Sequence, residues 1–324
     1  MTVTDFGTTA QGQPVRRITL TRGPLTVSLL TFGAILQDVR LRGVPRNLTL
    51  GSDRLADYQG AMLYHGALIA PVVNRLSRAC APIAGVLHRF EANQDGQHTL
   101  HGGAAGTHLQ VWTLAEFGET SATLTLTLPD GAGGFPGTRP VRATFSLTDP
   151  ATLRLQITAT TDRPTLFNAA NHSYWNLDGT PDWSGHSLQI DADRYLPTTD
   201  SFAPTGEVRT VAGTPFDFRQ PRLPTPGNPA LDTSFCLADG PRSLARALTL
   251  TGQSGVSMTL ATTEAAVQVY DGRAAPRLGR APCEALAIEA QNWPDAPNHP
   301  DFPGIELHPG DTYHQTTEWR FAAP

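Results

Sequence analysis

A chain of 324 residues with 40% hydrophobic content is long enough to bury a large core. Its net charge of −5 and pI near 6.0 offer nothing to nucleic acid or to an anionic membrane surface, so neither is expected as a partner. Lysine is absent and all 24 basic residues are arginines, which excludes a lysine Schiff base, a pyridoxal-phosphate anchor and a Walker-type phosphate lysine.

The three cysteines, Cys80, Cys236 and Cys283, are far apart and form no CxxC pair, which argues against a disulfide framework or a zinc knuckle. No run of 18 apolar residues occurs, and residues 1–5 lack the basic and apolar regions of a signal peptide. The expected location is the reducing cytoplasm. With 30 glycines and 27 prolines the chain should hold many loops, short of a disordered composition.

From residue 17 onward the pattern has period two. Alternating segments fall at 17–21, 26–30, 121–128, 141–147, 153–158, 187–190, 247–251, 256–260, 266–270 and 316–321. Such alternation predicts half-buried antiparallel strands. Helical patterns are scarce, with one short helix expected between Asp53 and Gly60. Many short strands separated by Gly/Pro turns predict an all-β protein, a large antiparallel β-sandwich; no fixed-period repeat points to a propeller. The Pro-rich passages 130–140 and 219–229 read as surface loops, because candidate site residues lie on both sides of each. Residues 1–324 are therefore expected to form one domain.

The chemical candidates appear in chain order. Asn74 and Arg75 follow the apolar run 67–73, and an arginine emerging there offers a planar fork of donors to a ligand oxygen, or a structural ion pair. His98-Thr99-Leu100-His101 has a spacing of three. On a strand the two imidazoles point to opposite faces, so no metal site is expected. Gly102 and Gly103 allow a sharp turn or close backbone approach at a site rim. Phe135, in the turn-rich stretch 133–137, reads as structural before it reads as a ligand flank.

The stretch Asn171-His172-Ser173-Tyr174-Trp175-Asn176-Leu177 is unusually dense in hydrogen-bonding groups for a strand-forming run. It reads as a site or as a satisfied polar cluster beside a core histidine. Asp232 follows the second Pro-rich loop. Gln268 and Tyr270 share one face of their segment, opposite Val267 and Val269. Glu289 ends the apolar run 285–288, where a carboxylate is costly unless paired or functional.

In this order Asn-Arg, Leu-His-Gly-Gly, Asn-His-Ser-Tyr-aromatic-Asn-Leu, Asp-x-x-Phe, Val-Gln-x-Tyr, Glu-x-Gln and Pro-Asp-Ala-x-Asn resemble the aldose 1-epimerase (galactose mutarotase) family, over essentially the whole chain. The blocks at 171–177 and 289–298 are highly specific together. The resemblance implies a galactose-mutarotase-type supersandwich with a sugar in an open groove and no cofactor. It implies His172 as proton donor and Glu289 as base, and sugar contacts from Asn74, Arg75, His101, Tyr174, Asp232 and Gln268. The implied partner is a free aldose such as galactose or glucose, and the implied assembly a monomer or homodimer. The chain departs from the family pattern at 70–73 (Ala-Pro-Val-Val), His98, Trp175 and Ala290.

Anomer interconversion needs a base on the C1 hydroxyl and an acid on the ring oxygen, placed across the sugar, each contributing ~10²–10⁴-fold. An ordinary glutamate and histidine would give a bell-shaped pH profile, with Glu289 on the acid limb and His172 on the alkaline limb. Two other classes share these features. A non-catalytic carbohydrate-binding protein of the same fold needs no such acid and base. A carbohydrate hydrolase or lyase normally wants two carboxylates, for which Asp232 is the second candidate.

Overall fold

A computed structural model describes residues 1–324. The strands form an antiparallel sandwich. Its larger sheet has eight strands in the order Thr113–Phe117, Ser121–Leu128, Arg139–Thr148, Thr152–Ala159, Tyr313–Ala322, Ser257–Thr262, Ala245–Thr251 and Ser187–Ile190. A six-stranded sheet runs Tyr174–Trp175, Leu286–Gln291, Ala266–Tyr270, Asp232–Cys236, Arg194–Leu196 and Arg209–Thr210. The N-terminal meander Thr2–Thr8, Pro14–Arg22, Leu25–Leu30 and Ile35–Leu41 adds a third sheet.

Period-two sequence accounts for this packing. On Arg139–Thr148 the residues Val141, Ala143, Phe145 and Leu147 are buried, while Arg142, Thr144 and Ser146 between them are partly solvated. The inward residues of all three sheets share one apolar core, which takes Ile18 and Leu20 from the N-terminal meander, Phe145, Leu155 and Trp319 from the eight-stranded sheet, and Val267, Val269 and Ile288 from the six-stranded sheet. Burying these eight side chains, at about 1.5–3 kcal/mol each, outweighs any single polar contact in the fold.

The strand Leu286–Gln291 is buried on both faces. One face of it joins the apolar core; the other looks into a cleft. The helix expected between Asp53 and Gly60 is a single turn, Leu55–Tyr58. Phe135 is fully buried, stacked on Phe90 with ring centroids 4.4 Å apart, so the 133–137 turn is structural. No helix is long and apolar enough to cross a membrane.

Candidate active site

Register across the six-stranded sheet brings distant residues into rows. Glu289 pairs with Gln268, and Gln268 with Ser234. One step along, Tyr174 pairs with Ala287, Ala287 with Tyr270, and Tyr270 with Asp232. Successive side chains alternate across a strand, so Tyr174, Asp232, Gln268, Tyr270 and Glu289 all leave the sheet on the side away from the main core.

They meet a second layer made of turns. Asn74 (φ 62°) and His101 (φ 55°) both adopt left-handed backbone, and each holds the other. The His101 N–H donates to the Asn74 carbonyl at 2.9 Å, and the Asn74 N–H donates to His101 Nδ1 at 3.2 Å. Strained non-glycine backbone persists where the surroundings over-determine it, as they do here. Gly102 follows at φ 77°, where a Cβ would lie 2.9 Å from Pro71 Cδ. With Nδ1 accepting, the His101 ring proton sits on Nε2, which bonds no other protein group and is free to donate to a ligand.

These groups and their neighbours enclose a cleft of about 320 Å³, lined among others by Asn74, Arg75, His101, His172, Tyr174, Asp232 and Glu289. Its size falls at the low end of the ~300–1,000 Å³ usual for small-molecule sites. Arg75 donates through Nε to Gln94 Oε1 at 2.9 Å and lies 3.6 Å from Asp232, so the ion pair and the cleft lining are one residue's work. Gln268 does not line the cleft. It sits behind Asp232 and donates to its Oδ1 at 2.6 Å, which orients the carboxylate.

The 171–177 stretch divides its polar groups between two uses. Asn171 and Asn176 satisfy backbone, Asn171 donating to the Gly66 carbonyl at 2.8 Å and Asn176 to the Glu284 carbonyl at 2.6 Å, while the Ser173 hydroxyl donates to Asn171 Oδ1 at 2.6 Å. His172 and Tyr174 face the cleft. The His172 ring stacks between Tyr64 (centroids 5.8 Å, 26°) and Tyr174 (5.1 Å, 30°), with His101 edge-on at 5.2 Å.

His172 Nε2 lies 3.5 Å from Glu289 Oε1, and both side chains are almost wholly buried. His172 Nδ1 and Glu289 Oε2 have no hydrogen-bond partner. Buried polar atoms are normally paired, so two orphans side by side call for an explanation. Burial first, and then the nearby Asp232 charge, push the Glu289 carboxyl up to about 8; Arg75 pulls the other way. Burial pushes His172 down to about 4. Burial also raises Asp232 and holds His101 well below the usual histidine range.

Sequence reasoning missed Tyr64, Gln94, Phe202 and Arg273, which also line the cleft. Arg273 is clamped by Asp271 through two hydrogen bonds of 2.8 Å. An aromatic in the polar turn Thr199–Ala203 was a usable signal for Phe202; Gln94 carried none. Of the departures from the family pattern, Trp175 and Ala290 point into the main core, and residues 70–73 are buried beneath the cleft without lining it.

A family model described as aldose 1-epimerase matches residues 16–320. The aldose 1-epimerase of Escherichia coli (strain K12) is 32% identical over 335 residues, covering 96% of each chain. The galactose mutarotase of Rattus norvegicus is 31% identical over 328 residues, covering 96% of this chain and 95% of its own. Among solved structures, an aldose epimerase homologue from C. elegans superposes with a TM-score of 0.87 at 26% identity, over 95% of this chain and 98% of that one. With the sandwich, the motif order and matches of this extent in agreement, the chain belongs to the aldose 1-epimerase family of isomerases.

Proposed function

We propose that the cleft interconverts the α and β anomers of free aldohexoses such as galactose and glucose, with Glu289 as base and His172 as acid. The observation that carries this reading is the Glu289–His172 pair, 3.5 Å apart, each with an orphaned polar atom, on the floor of a cleft rimmed by hydroxyl-binding groups. The two groups are adjacent rather than across the sugar. Adjacency suits the chemistry, because the hydroxyl to be deprotonated and the ring oxygen to be protonated are bonded to the same carbon, C1.

The steps balance without a covalent intermediate. Glu289 takes the O1 proton as His172 gives one to the ring oxygen; the C1–O5 bond breaks and leaves an aldehyde. Rotation about C1–C2 presents the other carbonyl face. His172 then removes the O5 proton, Glu289 reprotonates O1, and the ring closes as the other anomer. Arg75, His101 and Asp232, oriented by Gln268, hold the remaining hydroxyls while C1 turns.

The empty pair carries its proton on Glu289, since burial favours two neutral groups. A sugar hydroxyl donating to Glu289 Oε2 favours the carboxylate, which moves the proton toward His172 and forms the working pair. Free cysteines at 80, 236 and 283 support a reducing compartment as the place of work.

Polarimetry on fresh α-galactose and α-glucose, corrected for spontaneous mutarotation, is the test. Glu289→Gln and His172→Asn should still bind sugar while turnover falls by ~10²–10⁴-fold. Turnover by Glu289→Gln at the wild-type rate would end the reading, and sugar binding by the wild type without turnover would make the cleft a lectin site.

A further inference from the structure

His98, one of the departures from the family pattern, points to an element the mechanism above does not use. His98 Nδ1 accepts the Arg78 N–H at 3.1 Å, so the ring proton is on Nε2, which donates to Ser201 Oγ at 2.9 Å. Ser201 Oγ also lies 3.0 Å from Thr199 Oγ1. The Phe202 N–H donates to the Thr199 carbonyl at 2.9 Å, and the Thr199 N–H to the Ala203 carbonyl at 2.8 Å. The turn so tied holds Phe202 at φ 64°. A bulky aromatic in left-handed backbone is a conformational outlier that the chain keeps only when something fixes it. The residue is 38% exposed and lines the cleft, with the Arg75 guanidinium carbon over its ring, 5.4 Å from the centroid.

From this arrangement, and resting on the sugar reading above, we infer that Phe202 is the platform on which the C–H face of a pyranose ring lies, held in place by His98 through Ser201. A pyranose presents hydroxyls at its edge and C–H bonds on its faces. Arg75, Asp232 and His101 answer the edge, while Tyr64, Leu100, Tyr174 and Tyr270 complete the lining. The ring of Phe202 supplies an apolar wall beside Arg75, fixed before the sugar arrives and therefore without an ordering cost at binding. The open-chain aldehyde has no such face, so the platform acts on the closed ring. Phe202 thus governs KM more than kcat, and His98 and Ser201 are positioning residues.

The test combines mutarotation kinetics with inhibition by 1,5-anhydrogalactitol, a pyranose that lacks the anomeric hydroxyl and cannot open. Phe202→Ala should raise KM and the inhibition constant together by about three- to tenfold, the scale of one aromatic contact, with kcat within about twofold. Phe202→Tyr should restore both constants. His98→Ala should raise KM by part of that amount in the wild-type background and by nothing further in the Phe202→Ala background, since a residue acting only through Phe202 is non-additive with it. Unchanged KM and inhibition constants in Phe202→Ala, with an active wild type, overturn the platform alone. A full His98→Ala effect in the Phe202→Ala background overturns its positioning role. A wild type without mutarotase activity overturns the sugar reading and the platform with it.

Discussion

Glu289 and His172 begin from ordinary values of 4.5 and 6.5 and are pushed past each other by burial, to about 8 and about 4. Their order is therefore the reverse of what free side chains would give. Between these values the pair holds one proton in total, and that is the only charge state from which a base and an acid are both available. Below about 4 both groups are protonated and the base is lost. Above about 8 both are deprotonated and the acid is lost. The profile of kcat/KM should be bell-shaped, with its acid limb set by His172 and its alkaline limb by Glu289. The assignment is checkable through Asp232, whose charge raises Glu289. Asp232→Asn removes that charge, so the alkaline limb should move to lower pH while the acid limb stays. An alkaline limb that stays in place in this variant returns it to His172.

At the scale of elements, the cleft is where a regular sheet meets irregular turns, and only the first was legible in the sequence. Period two at 266–270 placed Gln268 and Tyr270 on one face, and the structure keeps them there. A carboxylate at the end of the apolar run 285–288 marked Glu289, which is buried on a strand closed on both faces. Alternation cannot reveal register between strands far apart in the chain, so neither the nearness of Glu289 to His172 nor the place of Gln268 behind Asp232 could be read. Tyr64, Gln94 and Phe202 come from turns, where no periodic signal exists. The two-residue strand Arg75–Leu76 joins both worlds: it pairs with Thr99–Leu100 and ends against the Asn74–His101 lock. Losing a charged hydrogen-bond donor costs roughly 1.5–3 kcal/mol, so Arg75→Ala should lower kcat/KM about tenfold to a hundredfold. Arg75→Lys should recover little, because a point charge cannot reach Gln94, Asp232 and a sugar oxygen as the planar fork does. Wild-type kinetics in Arg75→Ala would place the sugar elsewhere.

For the molecule as a whole, burial serves the apolar core and also sets the charge of groups remote from the cleft. The shared core draws on residues from Ile18 to Phe321, and its alternation made the sandwich legible. The same burial at a polar position was not legible: Glu264 carries no periodic signal, and it is 7% exposed, with Tyr313 donating to its Oε1 at 3.0 Å. Burial raises its carboxyl from 4.5 to about 7, the tyrosine hydrogen bond only partly opposing this. A folded-state value above the unfolded one means the fold prefers the neutral acid. That contribution is fully present below pH 4.5 and is lost as pH rises through about 7. The shift corresponds to ~3 kcal/mol by pH 8.5. Glu264→Gln keeps an acceptor for Tyr313 and cannot ionise, so it should match the wild type near pH 4.5 and exceed its Tm by about 4 °C at pH 8.5, given the unfolding entropy of a chain this long. Thermal unfolding of the two proteins followed from pH 4.5 to 8.5 measures it. Tm curves that run parallel across that range would show that Glu264 titrates alike in the folded and unfolded protein, and that water reaches it despite its burial.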